Sequence, residues 1–235
     1  MEFRISNTLG PMMGLVGLIV AGHGMAARAS ESDAAASTSP SAVYVLEPDS
    51  SRLYAVVRYE RGLLAGALGH DHVIVATGWR GTVDWDPTRS ERCRIDVAVP
   101  VSGLLVDPGA SRAWEGLDGS TSDGDKSTIT SNLRGSKQLD MGAHPQIRFS
   151  SRQCDPDGTV VGSLSIRGVA VEVTIPMQIE ADADGIRARG RFSMLHSDFG
   201  FQPFRALAGA LRNQDRLELV VDVRGAPPAI PHSNP

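Results

Sequence analysis

Gly69-His70-Asp71-His72 is the densest group of metal-capable side chains in this 235-residue sequence. On a strand His70 and His72 share a face, because side chains alternate with a period of two. Both imidazoles could then bind zinc or copper, with His196 or Asp198 as a third ligand. Two imidazoles do not make a metal site, however. The same residues also suit a polar strand start at a barrel mouth, one hydrogen-bonded His, or a contact for a ligand head group. His196-Ser197-Asp198 holds the residue types of a hydrolytic relay. Neighbouring residues on a strand point to opposite faces, so these three cannot pass a proton among themselves. Neither Gly-x-Ser-x-Gly nor His-Glu-x-x-His occurs, so no catalytic residue is assigned and a binding protein is expected rather than an enzyme.

Cys93 and Cys154 are candidates for a disulfide if the chain is exported. Parity argues against the bridge. If the runs around Cys93 and Phe149 are antiparallel neighbours, directly opposed residues have a constant index sum and share a face. Cys93 then lies inward with Ile95, and Cys154 outward with Arg148 and Arg152, so the two meet only if the second strand relaxes at its end. Arg187, Arg189 and Arg191 form an outward basic row, which is either a solvated face or a docking surface for an anionic membrane.

Export is expected from the N-terminus. Arg4 precedes an apolar stretch from Met12 to Ala21, and Ala27-Arg28-Ala29 is a small-x-small cleavage site. Removing residues 1–29 takes away Glu2, Arg4 and Arg28, leaving 21 basic and 26 acidic side chains and a mature net charge of -5. This makes the expected location periplasmic or extracellular. Residues 30–42, rich in Ser and Ala, read as a disordered leader, 43–226 as the folded domain and 227–235 as a Pro-rich tail. A mildly acidic chain with no Lys/Arg cluster is unsuited to nucleic acid. No apolar run approaches the ~20 residues of a spanning helix. Only 5% of residues are aromatic, so any interior is filled by Val, Ile and Leu or is left partly open.

The elements that position these residues read as strands. Val169, Val171, Val173, Ile175, Met177 and Ile179 alternate with mostly polar residues, and Ile186 to Met194, Val160 to Ile166 and Leu217 to Val223 repeat the pattern. Cys93 to Val99, Ile147 with Phe149, and Leu53 to Tyr59 follow it, as does a longer run from His72 to Trp85 that bends at Gly78 or Gly81. Short Asp-, Pro- and Gly-bearing turns separate the runs. Eight one-faced strands with little helix to cover them must bury those faces against one another, as a closed antiparallel barrel or as a two-sheet sandwich, and the barrel is preferred. Pro108 to Asp125 reads as a loop or flap. Short helices are expected at Ser127 to Leu139 and between Gln202 and Leu211.

Three segments carry a family resemblance. The first is Leu133-Arg134-Gly135-Ser136-Lys137-Gln138-Leu139-Asp140 with His144-Pro145-Gln146-Ile147-Arg148-Phe149-Ser150-Ser151; the second is Gly162-Ser163-Leu164-Ser165-Ile166-Arg167-Gly168-Val169; the third is Ser197-Asp198-Phe199-Gly200. In this order and spacing they resemble the YceI-like family of polyisoprenoid-binding proteins, over about Tyr44 to Gly225. The resemblance implies an eight-stranded lipocalin-like antiparallel barrel that holds an isoprenoid or quinone chain, with no other cofactor required. The inward residues would then touch the lipid: Val57, Tyr59 and Val75 from the N-terminal runs, Val97 from the next, and Ile147, Phe149 and Leu164 from the middle. Val171, Val173, Ile175, Phe192, Met194 and Phe199 complete the set. His70, His72 and His196 are the head-group candidates. The alternatives are a metal-binding protein using His70 and His72, and a structural barrel with a filled core.

Overall fold

The period-two pattern does form strands. The protein is described by a computed structural model over residues 42–61, 69–86, 89 and 92–228. The expected signal segment, nearly all of the leader and most of the tail lie outside these residues. Among the described residues there are twelve strands: β1 (Ala42–Leu46), β2 (Arg52–Tyr59), β3 (His72–Ala76), β4 (Arg80–Trp85), β5 (Arg94–Pro100), β6 (Leu104–Val106), β7 (Gln146–Cys154), β8 (Thr159–Ile166), β9 (Val169–Ala181), β10 (Ile186–Leu195), β11 (Arg205–Ala206) and β12 (Leu211–Ala226).

They make a closed eight-stranded antiparallel barrel because three of the eight runs are broken in two. The order β1-β4-β5-β7-β8-β9-β10-β12 closes where β12 pairs back onto β1 at Val45↔Ala226 and Leu46↔Gly225. Beyond the breaks the same three runs continue as β2, β3 and β6, again beside β12. The first break is a 3-10 turn at Pro48–Ser50 and the third is another at Val101–Gly103. The second lies at Gly78, whose φ of +61° is the left-handed conformation that suits glycine. Thr77 bonds across to Gly103 O through both its N–H (2.9 Å) and its hydroxyl (2.7 Å), so the second and third breaks sit side by side. The three runs therefore bend together, as an unbroken twisted sheet closing so small a barrel otherwise could not.

On its far side β6 ends the strand order, and helix α1 (Asp123–Arg134) packs against it. The helix begins four residues before the expected Ser127. Ser122 caps it, accepting the Asp125 N–H at 3.1 Å and donating to the Asp125 carboxylate at 2.7 Å. It ends before Gly135, and the chain from there to Leu139 turns instead of coiling, though Leu139 is buried. The apolar side of α1, Ile129 and Leu133, joins the main core. The expected second helix between Gln202 and Leu211 is reduced to a single irregular 3-10 turn at Leu207–Gly209. Arg205↔Arg212 and Ala206↔Leu211 pair β11 with the start of β12, and Leu207 and Ala208 make the connection with positive φ. Partnering the unusually long β12 outweighs the helical spacing of Phe204, Leu207, Ala208 and Leu211.

Cys93 and Cys154 are bonded, which corrects the parity expectation. The register between β7 and β8 slips between Ser151 and Gln153, leaving Arg152 as the extra residue of a β-bulge. One inserted residue reverses the facing of everything after it. Cys154 thus turns inward, and both cysteines are buried beside Val160. Ser151 fills the disturbed stretch by accepting the Ile95 N–H on its hydroxyl at 2.8 Å.

Candidate ligand-binding cavity

The inner faces of the eight runs enclose a cavity of about 220 Å³. Its wall is almost wholly hydrocarbon: Ile74 and Ala76 from β3, Val97 and Val99 from β5, Ile175 and Met177 from β9, among others. Glycines keep it open at points of crowding. A side chain at Gly162 would strike the Phe149 ring, and one at Gly190 would strike the Met177 sulfur.

Val57, Val97, Ile147, Phe149, Leu164, Ile175 and Phe192 all reach this cavity, as their alternation requires. Six of the expected lining residues do not. Val75 lies on the opposite face of β3 from Ile74, in a separate outer cluster with Tyr54, Val56 and Val73 beneath Trp114 and Leu117. The His72–Ala76 run is apolar on both faces because both are covered, so alternation could not assign its sides. Tyr59 lies past an irregularity in the β2–β12 register, between Asn213 and Leu217, and its ring packs on Gly69 with the Arg61 guanidinium 5.6 Å away.

Val171, Val173, Met194 and Phe199 belong to the main core without lining the cavity. The cause is a parting of β9 from β10. Their pairing runs from Ile186↔Ala181 only to Gly190↔Met177, although β10 continues to Leu195 and β9 starts at Val169. Met177 spends its N–H on Gly158 O, so the next position back, Pro176, faces β10, where it has no N–H to give. Above this point the 3-10 turn His196–Phe199 packs against both strands, and Phe199 is 1% exposed. These four side chains fill the wedge between the parted strands.

The histidines have separate partners. His70 is exposed. His72 Nδ1 donates to Asp107 Oδ2 at 2.7 Å, while Asp71 turns to Arg58 at 3.1 Å and to the Tyr59 N–H. His70 and His72 are therefore not joined in one ligand set, and among the described residues no group of three metal-capable side chains converges. Asp107 is the hub that sequence reasoning missed. Its side chain is 1% exposed and accepts the Val73 N–H (2.7 Å), the His72 ring, the Thr121 hydroxyl (2.6 Å) and Arg112 (3.3 Å). Burial opposes its charge, but the hydrogen bonds from His72, Thr121 and Val73 outweigh it and hold the carboxyl down at about 2. The only sequence signal was an Asp ending an apolar Leu-Leu-Val run.

His196, Ser197 and Asp198 do not form a relay. Ser197 donates to the Asp215 carboxylate at 2.6 Å, His196 Nδ1 to the Asp215 backbone carbonyl at 2.8 Å, and Asp198 accepts the Leu195 N–H. Burial pushes the His196 pKa below its ordinary value, against the partial opposition of the Asp215 carbonyl. The basic row is neutralised strand by strand: Arg187 pairs with Asp222, Arg189 with Glu180, and Arg191 with Glu115 and Glu218. It is not a free cationic surface.

A closed antiparallel barrel of eight runs around an apolar cavity is a lipocalin-like architecture. Comparison with known proteins narrows it: the family model described as YceI-like domain matches residues 44–224, and the chain belongs to that family. The crystal structure of BcnA from Burkholderia cenocepacia is similar in fold, with a TM-score of 0.56 at 16% identity over 76% of this chain and 98% of that one. A Campylobacter jejuni YCEI protein gives a TM-score of 0.48 at 17% identity, over 66% of this chain and 84% of that one. No curated protein matches the chain.

Proposed function

We propose that this protein is an exported carrier that holds an isoprenoid chain inside the barrel and performs no chemistry on it. The observation that carries the reading is the cavity. It is hydrocarbon-walled, and a buried methylene contributes ~0.8 kcal/mol without any directional contact. Its 220 Å³ is below the ~300–1,000 Å³ of drug-sized sites, which favours one slim chain over a compact multi-ring ligand. Export is supported by the signal-like residues 1–29 and by a buried disulfide, a bond that persists in oxidising compartments.

Organic extraction of the purified protein followed by mass spectrometry tests this reading. Wild type is expected to release an isoprenoid lipid. Ala188 lines the cavity, so Ala188→Phe should put a ring in the chain's path and reduce the extracted lipid several-fold while the β-sheet circular dichroism is kept. If wild type yields no lipid and takes up no detergent-solubilised isoprenoid, the carrier reading fails.

A further inference from the structure

Polar side-chain functions meet the hydrocarbon cavity at one end. Gln138 and His196 both line it there. Both are tied to the same short stretch of chain: the Gln138 amide donates to Gln202 O at 3.1 Å, and the His196 ring meets the Phe201 ring edge-on at 5.3 Å. Two other residues along the wall carry a polar group: Tyr54, whose side chain belongs to the outer cluster and directs its hydroxyl to Glu115, and Trp79, whose indole has one N–H and no acceptor.

Both polar residues have already spent their donors. The Asp215 carbonyl can only accept, so His196 Nδ1, 2.8 Å from it, carries the proton. In a neutral imidazole Nε2 is then a bare acceptor. Burial favours that neutral form, as the lowered pKa of the ring records. The Gln138 amide nitrogen has two N–H groups, one directed to Lys137 O and the other to Gln202 O, each at 3.1 Å, which leaves Oε1. What remains on these two side chains is a pair of acceptors, and among the described residues no Lys or Arg lines the cavity.

We propose that Gln138 and His196 form a head-group site for a neutral hydroxyl donor, so that the protein prefers an isoprenoid ending in an alcohol or hydroquinone over its ether, quinone or phosphate counterpart. An ether or quinone oxygen would bring an acceptor to two acceptors, and a buried acceptor left without a partner carries a desolvation penalty. A phosphate would bring charge into an apolar tube that offers it no cation. The proposal rests on the carrier reading above and assigns the specificity of that same cavity.

The test uses probes with matched tails: a prenyl alcohol, its methyl ether and its monophosphate, and an isoprenoid hydroquinone beside its quinone under argon. Binding is followed by quenching of Trp79, which is buried in the cavity wall. The alcohol is expected to bind about tenfold more tightly than the ether, the scale of one or two hydrogen bonds. His196→Phe and Gln138→Leu should each bring that ratio toward one, and Gln138 is only half-buried, so its replacement leaves the fold testable. A hydroquinone preference over quinone of similar size would identify a quinol as the ligand. Its absence, with the alcohol preference kept, would identify a prenyl alcohol. Equal binding of alcohol and ether, or tightest binding of the phosphate, overturns the proposal and leaves the carrier reading in place. If no probe binds, both fall.

Discussion

Replacing Cys93 and Cys154 together by alanine is expected to lower the unfolding free energy by about 4 kcal/mol, close to half of a typical domain's stability. The size follows from the 61-residue separation of the two cysteines. A cross-link that closes a loop of this length removes much of the freedom of the unfolded chain. Both sulfurs of the bridge are also buried against Val160 and beside Trp85, Phe149 and Met177, so the alanines lose packing as well. Denaturant unfolding of three samples separates these effects. Oxidised wild type should have the highest midpoint, reduced wild type should lose the cross-link term alone, and the double variant should lie lowest. Coincident midpoints for oxidised and reduced protein would mean that the bridge contributes nothing to stability. Since the bridge joins the residue just before β5 to the end of β7, next to the Arg152 bulge, its loss should loosen the strand ends there and leave the cavity end near His196 largely intact.

That bridge also marks how far the sequence could be read. The count of eight inward-facing runs, their antiparallel order and a bend at Gly78 or Gly81 were all legible, because period-two burial repeats along each run and turn residues separate them. What failed did so where a local event changed the period. The Arg152 bulge reversed the facing of Cys154, and nothing in Ser-Ser-Arg-Gln-Cys announces where an extra residue will sit. Val75 was assigned inward because the His72–Ala76 run has no polar side, and the reason is the cover supplied by Trp114 and Leu117 from a loop whose docking is a tertiary fact. Val171, Val173 and Met194 have the right inward facing for their strands, and Phe199 follows β10 in a 3-10 turn, yet the parting of β9 from β10 at Pro176 directs all four into a wedge. Pro176 was visible in the sequence as a residue unable to donate, but only the register shows that its missing N–H faces β10. Of the proposed head-group site, His196 was a candidate from the sequence, and it does line the cavity. Its acceptor character was not legible, since that depends on a backbone carbonyl at Asp215, and Gln138 had no feature to distinguish it from any other polar residue.

Asp107→Ala is expected to cost about 3–5 kcal/mol, because it removes the common acceptor of a buried network. The Val73 N–H, the His72 ring, the Thr121 hydroxyl and Arg112 all converge on this carboxylate. Truncation leaves the Val73 N–H, the His72 ring and the Thr121 hydroxyl without this acceptor in a site that water barely reaches, while Arg112 keeps the Asp71 carbonyl at 2.7 Å. Asp107→Asn should cost less, since one acceptor oxygen remains, but it loses the charge and with it the pH dependence. The sign follows from the lowered pKa. The folded-state value is about 2 against an ordinary 3.8, so the ionised network is fully stabilising above about pH 4 and is lost as the pH falls through the folded value. The difference corresponds to about 2 kcal/mol. Urea unfolding of wild type between pH 5 and pH 2 should show this loss, and the Asn variant should lack that part of the decline. Parallel pH profiles in the two proteins would place the acid sensitivity elsewhere. Because Thr121 and Arg112 lie in the loop that carries Trp114 over the outer cluster, the same variants should make residues 108–122 more susceptible to proteolysis before the barrel itself opens. Cleavage confined to that loop would show that Asp107 fastens the outer cover to a barrel that closes without it.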